Sequence, residues 1–308
     1  LEHEFYRGAR ALITGAGGFV GAHLAARLGA IGAEVHGTSR GAGGGPGVRW
    51  HQADLGGDAL PALVRELRPD VVFHLAARMD RERRGDLLAP MLRDNTVAVA
   101  SLCEAMIGGS GRLVLLGSAE EYGAEPGPWE AGQRERPSSP YGLSKAAAAL
   151  VAEVASRTFG VRVVTGRPSV LYGPGQRGSQ FIPGLIAACL AGQRFAMTLG
   201  EQTRDFLYID DLIDGLLALG VCEQAGQVFH LCTGSSVTVA SVALRVRELV
   251  GGGSIDLGAL PYRPAEAMAQ EMSPAATREA LGWQARVSLD EGLRRTIEAA
   301  RASEPGRR

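Results

Sequence analysis

The chain has 308 residues, 45% hydrophobic and 21% charged, a length that suggests about two domains and is enough to bury a sizeable core. Acidic and basic residues nearly cancel, leaving a net charge of −1, which argues against nucleic acid or an anionic membrane surface as the main partner. No apolar run approaches the ~18 residues of a membrane span, and the Leu1-Glu2-His3-Glu4 start has no secretion-signal pattern, so a cytoplasmic protein is expected.

In chain order, Ala11-Leu12-Ile13 reads as a buried strand and residues 19–28 as a helix. A second strand follows over 34–38, then a flexible glycine-rich loop over 41–47 and a third strand over 48–53. A helix over 59–67 closes at Pro69, and 71–75 is a fourth strand. A helix over 92–106 and a fifth strand over 112–116 complete the first part. Strands alternating with helices predict right-handed crossovers and an α/β, doubly wound parallel sheet of the Rossmann type. The helix over 141–159 is apolar nearly all round, so a second surface must cover it. A homodimer through this helix and that over 92–106 is expected; cover by the C-terminal segment of the same chain is the alternative. Beyond residue 166 prolines and glycines punctuate shorter elements, with one further strand over 227–231. The division expected is a dinucleotide-binding domain over 1–165, rejoined by a strand and helix from about 205–235. A smaller substrate domain is expected over 166–204 and 236–308, ending in a frayed polar tail from 303.

Four cysteines without C-x-x-C spacing and six histidines without paired spacing predict reduced core thiols and no metal. Gly15, Gly18 and Gly21 stand at the first strand–helix junction. Gly15 permits a tight turn, Gly18 lets backbone approach a pyrophosphate, and Gly21 lets helix pack close to sheet. The N–H groups at Phe19 and Val20 would face the phosphates. The second strand ends Thr38-Ser39-Arg40 without an acid; Ser39 followed by Arg40 favours NADP(H), with NAD(H) possible if Arg40 is only a solvated loop residue. Asp54 and Leu55 are placed for the adenine, and Leu75, Ala76 and Ala77 let the backbone approach the cofactor. His74 reads as structural.

Tyr141 and Lys145, four apart on a helix, point the same way. Every basic residue of the chain except Lys145 is arginine, which makes that spacing informative. An ammonium beside the phenol favours phenolate; lowering its pKa by ~3 units from ~10 takes about 4 kcal/mol. Ser118, at the end of the fifth strand, would hydrogen-bond a substrate oxygen. Glu120 and Glu121 follow it; a carboxylate there, Glu120 first, is a second acid/base, a ligand for sugar hydroxyls, or part of a solvated loop.

The set Gly15/Gly18/Gly21, Ser118, Tyr141 and Lys145 resembles the short-chain dehydrogenase/reductase superfamily. Tyr172-Gly173-Pro174-Gly175, Arg204-Asp205-Phe206, Asp210-Asp211, Arg263-Pro264-Ala265-Glu266 and Leu281-Gly282-Trp283 look like its extended branch, the epimerases and dehydratases of nucleotide sugars. Residues 34–40 and 116–123 look most like GDP-4-keto-6-deoxymannose reductases. That resemblance implies reduction of a nucleotide-linked 4-keto sugar with NADP(H). Tyr141 would be the acid, Ser118 would orient the oxygen, and Lys145 would tune Tyr141 and hold the nicotinamide ribose. It also places Arg78, Phe181, Arg204 and Arg263 with Ser118 and Glu120 around the substrate, the latter two arginines on the diphosphate. Two departures stand out: Val170 replaces the family's usual asparagine, and Ala119 replaces the aspartate expected of 4,6-dehydratases. The alternatives are an epimerase or dehydratase on tightly bound NAD, with Tyr141 as base and Glu120 as partner, and, more remotely, a non-catalytic redox sensor.

Overall fold

A computed structural model describes residues 2–41, 43–80, 82–176, 180–264 and 266–303. The tail beyond 303, Ala42 in the glycine-rich loop and Ala265 in the Arg263 motif lie outside the described residues. After a short helix α1 (Glu2–Tyr6), the chain alternates β1 (Arg10–Thr14), α2 (Phe19–Ile31), β2 (Glu34–Ser39), β3 (Val48–Gln52), α3 (Ala59–Leu67) and β4 (Val71–His74). A helix α4 (Leu88–Met91) runs through a wide π-helical turn, Leu92–Val97, into α5 (Ala98–Met106). Then come β5 (Arg112–Leu116), α6 (Pro140–Phe159) and β6 (Arg162–Pro168).

The central strands β1, β4 and β5 are largely apolar and buried, as parallel strands covered on both faces must be; β4 is buried at every residue, whereas the edge strand β3 carries Arg49, His51 and Gln52. With a later strand over Val228–Leu231, the six strands form a seven-stranded parallel sheet whose order places β1 between β2 and β4 and β3 at one edge. From β1 the chain winds outward through β2 and β3, then reverses through β4, β5 and β6. The switch point therefore lies at the carboxyl ends of β1 and β4, where open α/β sheets bind ligands.

Beyond β6 follow β7 (Val170–Tyr172), α7 (Phe181–Leu190), β8 (Arg194–Ala196), β9 (Thr203–Tyr208) and α8 (Ile209–Gly220). Then β10 (Val228–Leu231) returns to the large sheet beside β6. The chain ends with β11 (Ser236–Thr238), α9 (Val239–Val250), β12 (Ser254–Asp256), β13 (Ala269–Gln270), α10 (Ala275–Leu281) and α11 (Leu289–Ser303). β9 is the hub of a small sheet, pairing with β7, β11 and β13, while β8 pairs with β12. The one helix expected over 92–106 is thus a helix with a π-helical opening, a feature that periodicity does not encode. Among the described residues no helix is long and apolar enough to cross a membrane.

Candidate active site

The turn after β1 is built by backbone alone. Gly15 has φ +71°, and a Cβ there would stand 3.0 Å from the Ala76 Cα. A Cβ on Gly21 would lie 2.2 Å from the Gly15 carbonyl oxygen, so only glycine lets α2 start against this turn. Gly18 caps α2 without a side chain, and the first helical bond runs from Ala22 to the Gly18 carbonyl. The N–H groups of Phe19, Val20 and Gly21 are thereby left to a ligand at the positive end of the helix. This turn fits a dinucleotide diphosphate, since Gly15 and Gly21 let the turn, the loop after β4 and the start of α2 close on one another with the helix N–H groups turned outward.

Thr14 locks β1 to β4. Its Oγ1 accepts N–H bonds from Leu75 and Ala76, both 3.1 Å, and meets His74 Nδ1 at 3.0 Å. With both lone pairs used, the hydroxyl proton goes to Nδ1. Burial, then the Lys145 ammonium, pushes His74 down to about 3, so the ring is neutral and structural. At the end of β2, Ser39 Oγ donates to the Gly41 carbonyl (2.7 Å), and Gln52 holds the Arg40 carbonyl (3.1 Å). Arg40 and Asp54 are exposed; Leu55 donates its N–H to the Asp54 carboxylate and is half-buried. The expected dinucleotide residues thus ring the carboxyl ends of β1 to β4.

Ser118 leaves β5 as the cap of a tight turn, Ala119–Tyr122. Its Oγ accepts the Glu120 N–H at 3.2 Å, and Glu121 Oε1 accepts the Ser118 N–H at 2.7 Å. Ser139 caps α6, accepting the Gly142 N–H and donating to Glu120 Oε2, both at 3.0 Å. Pro140 at the first position suits the helix start. One turn on, Lys145 Nζ donates to the Leu116 carbonyl (2.8 Å) and stands 5.9 Å from the Tyr141 ring centre. Ser118, Glu120, Tyr141 and Lys145 are therefore brought together by two caps and one lysine bond. Burial pushes the Lys145 ammonium down to about 8, against the pull of Glu121.

Three residues have structural roles that reading the sequence did not reveal. Buried Asn95, in the π-helical turn, bonds the Arg78 N–H (2.7 Å), the Arg78 carbonyl (3.0 Å) and Ser144 Oγ (2.9 Å). It thereby ties the loop after β4 to the helix of Tyr141. Glu121 and Arg167, both fully buried, pair at 2.7 Å beneath Ser118. Arg167 also reaches Glu135 and donates to Tyr122 Oη (2.6 Å). Losing one member of such a pair costs about 3–5 kcal/mol. No local pattern announces these contacts; a π-helical turn of this kind often marks a functional site.

The substrate side is looser. Arg204, on β9, pairs with Glu266, whose N–H binds the Arg263 carbonyl at 3.1 Å, so both expected arginines share one loop cluster. Arg263 is exposed. Arg83 crosses from the loop after β4 to the Pro264 carbonyl, 2.6 Å. Arg78 is exposed and pairs with Asp94 at 3.2 Å. Phe181 opens α7 and packs edge-on to Phe195, with ring centres 6.1 Å apart. Val170 begins β7 beside Phe206 and is half-buried.

Comparison with known proteins gives the same picture. A model of the NAD dependent epimerase/dehydratase family matches residues 11–232. The UDP-glucose 4-epimerase of Mycolicibacterium smegmatis (strain ATCC 700084 / mc(2)155) is 28% identical over 306 residues, 94% of this chain and 97% of that protein. The dTDP-glucose 4,6-dehydratase of Streptomyces niveus is 27% identical over 314 residues, covering 94% and 92%. The solved structure of MoeE5 in complex with UDP-glucuronic acid and NAD superposes with a TM-score of 0.87 at 32% identity, covering 96% of this chain and 100% of that one. None of these is a GDP-sugar reductase, and the dinucleotide in the MoeE5 structure is NAD rather than NADP. The phosphate turn, the Ser118–Tyr141–Lys145 cluster and the match over 11–232 place this chain in the NAD dependent epimerase/dehydratase family.

Proposed function

We propose that the protein is a nucleotide-sugar 4-epimerase working on a tightly held NAD, acting on a nucleoside-diphosphate hexose or hexuronate. The observation that carries it is the assembled Ser118–Tyr141–Lys145 cluster with buried Ala119 in the turn beside it. A dehydratase must protonate a leaving hydroxyl, and a methyl side chain cannot. When bound, the nicotinamide supplies a hydride acceptor and donor at the sugar carbon. Tyr141 Oη takes the proton of the sugar O4 hydroxyl and later returns it. Ser118 Oγ, its lone pair engaged by the Glu120 N–H, directs its own proton at O4. Lys145 holds positive charge beside the phenol and favours its ionised form. Arg204 and Arg263 neutralise the diphosphate, a role suited to guanidinium.

Dehydration is the second reading, favoured by Glu120, which Ser139 holds beside the α6 cap, and by the dehydratase relative. Reduction with NADP(H) keeps one feature in its favour, the exposed Arg40 after β2. Incubation with UDP- and dTDP-linked glucose and glucuronate, without added reductant, separates these. An epimer of unchanged mass supports the proposal, loss of water selects the dehydratase, and turnover only of 4-keto sugars with added NADPH selects the reductase.

The helix face expected to need a cover is open: Val97, Leu150 and Val154 are 52%, 55% and 55% exposed. We infer a homodimer through α5 and α6 on that ground. All four cysteines are free thiols, which supports a reducing, cytoplasmic setting.

A further inference from the structure

The glycine-rich loop between β2 and β3 has no part in the mechanism above, yet it is anchored. Trp50, half-buried on edge strand β3, is met by glycines from three segments. A Cβ on Gly43 (φ +67°) would fall 2.4 Å from its Cδ2 and Cε3, so the loop backbone lies directly on the indole face. A Cβ on Gly37 of β2 would stand 3.4 Å from Cε3, and one on Gly17, in the phosphate turn, 3.8 Å from Cη2. Gly45 faces the far edge of the ring, its carbonyl 3.5 Å from the indole Nε1. Gln52, two residues along β3 and so on the same face as Trp50, holds the Arg40 carbonyl at 3.1 Å. One face of the edge strand is thus given over to fixing the segment that leaves β2. In this sheet type the end of β2 meets the adenosine ribose of a dinucleotide lying on the first turn.

We propose that Trp50 is a positioning residue for the dinucleotide. Its indole seats the backbone of Gly43 and Gly45, and with them Ser39 and Arg40, against the Gly15–Gly21 turn, so that the adenosine side closes and release is slow. A loop this rich in glycine loses much freedom on ordering. Seating it on the indole meets that cost on folding rather than on binding. The inference rests on the reading that the dinucleotide lies on the Gly15–Gly21 turn.

The experiment uses the full chain loaded with NADH and follows nicotinamide fluorescence on dilution. Trp50→Ala and Gly43→Ala, which unseat the loop from opposite sides, should each speed dissociation about tenfold, the worth of one residue's order. Trp50→Phe, which keeps a flat ring, should recover part of it. Gly21→Ala, whose Cβ would push the start of α2 off the Gly15 carbonyl and distort the phosphate turn, should prevent loading. If Trp50→Ala does not fold, Gly43→Ala alone decides, because its change lies in an exposed loop. Dissociation within twofold of wild type in folded Gly43→Ala overturns the proposal, whatever the melting temperature does. Loading of folded Gly21→Ala at wild-type affinity instead overturns the reading of the turn on which the proposal rests.

Discussion

The wall formed by β1, β4 and the start of α2 and the wall formed by β9, Arg263 and Glu266 are held by different chemistry. On the first, glycines and main-chain bonds fix the geometry. Gly15 and Gly21 admit no side chain, and Thr14 closes the strand ends with its own hydroxyl. On the second, the group that would bind substrate is held by an opposite charge, Arg204 by Glu266. On the proposed function, a diphosphate arriving there would have to displace a carboxylate that repels it. On that same reading, the first wall would be preorganised for a ligand that stays and the second arranged for one that comes and goes.

The largest test of this contrast is Tyr141→Phe. Losing the acid/base should lower kcat by about 10²–10⁴-fold while dinucleotide retention stays at the wild-type level, both read on the same preparation. Loss of retention together with activity would mean that the two walls are not separable. Next comes pH. Lys145 is held near 8 by burial, so its ammonium is present below that value and lost above it. Activity should fall through an alkaline limb near pH 8, and in Lys145→Arg, charged at all accessible pH, that limb should move upward. An unmoved limb would assign it to another group. The smallest effect is expected at Glu266. Glu266→Gln removes the competing carboxylate and should lower the KM for the sugar nucleotide by about three- to tenfold, with kcat little changed. A raised KM would show that Glu266 orients Arg204 for the diphosphate instead of competing with it.

The same contrast explains what the sequence disclosed. The glycine turn and the Tyr141–Lys145 pair were legible because each obeys a local rule: positive φ and close approach at Gly15, shared helix face at a spacing of four. The alternation of strands and helices disclosed the doubly wound sheet for the same reason. What was not legible is the pairing of residues far apart in the chain. Glu121 with Arg167, Asn95 with Ser144, and Arg204 with Glu266 are joined only by the fold. Arg40 shows the limit of a local rule. It pointed to NADP, yet it stands exposed on the loop after β2, its carbonyl held by Gln52, and among the described residues no contact ties its side chain to that role.

The central claim is that the hydride leaves the sugar and returns to it without the dinucleotide leaving the protein. The most direct measurement denatures freshly purified protein and identifies and quantifies the released nucleotide by mass spectrometry. Near-stoichiometric NAD⁺ is the predicted result. A protein that releases none, and then binds NADPH in preference to NADH, would contradict the account and return the chain to the reductases.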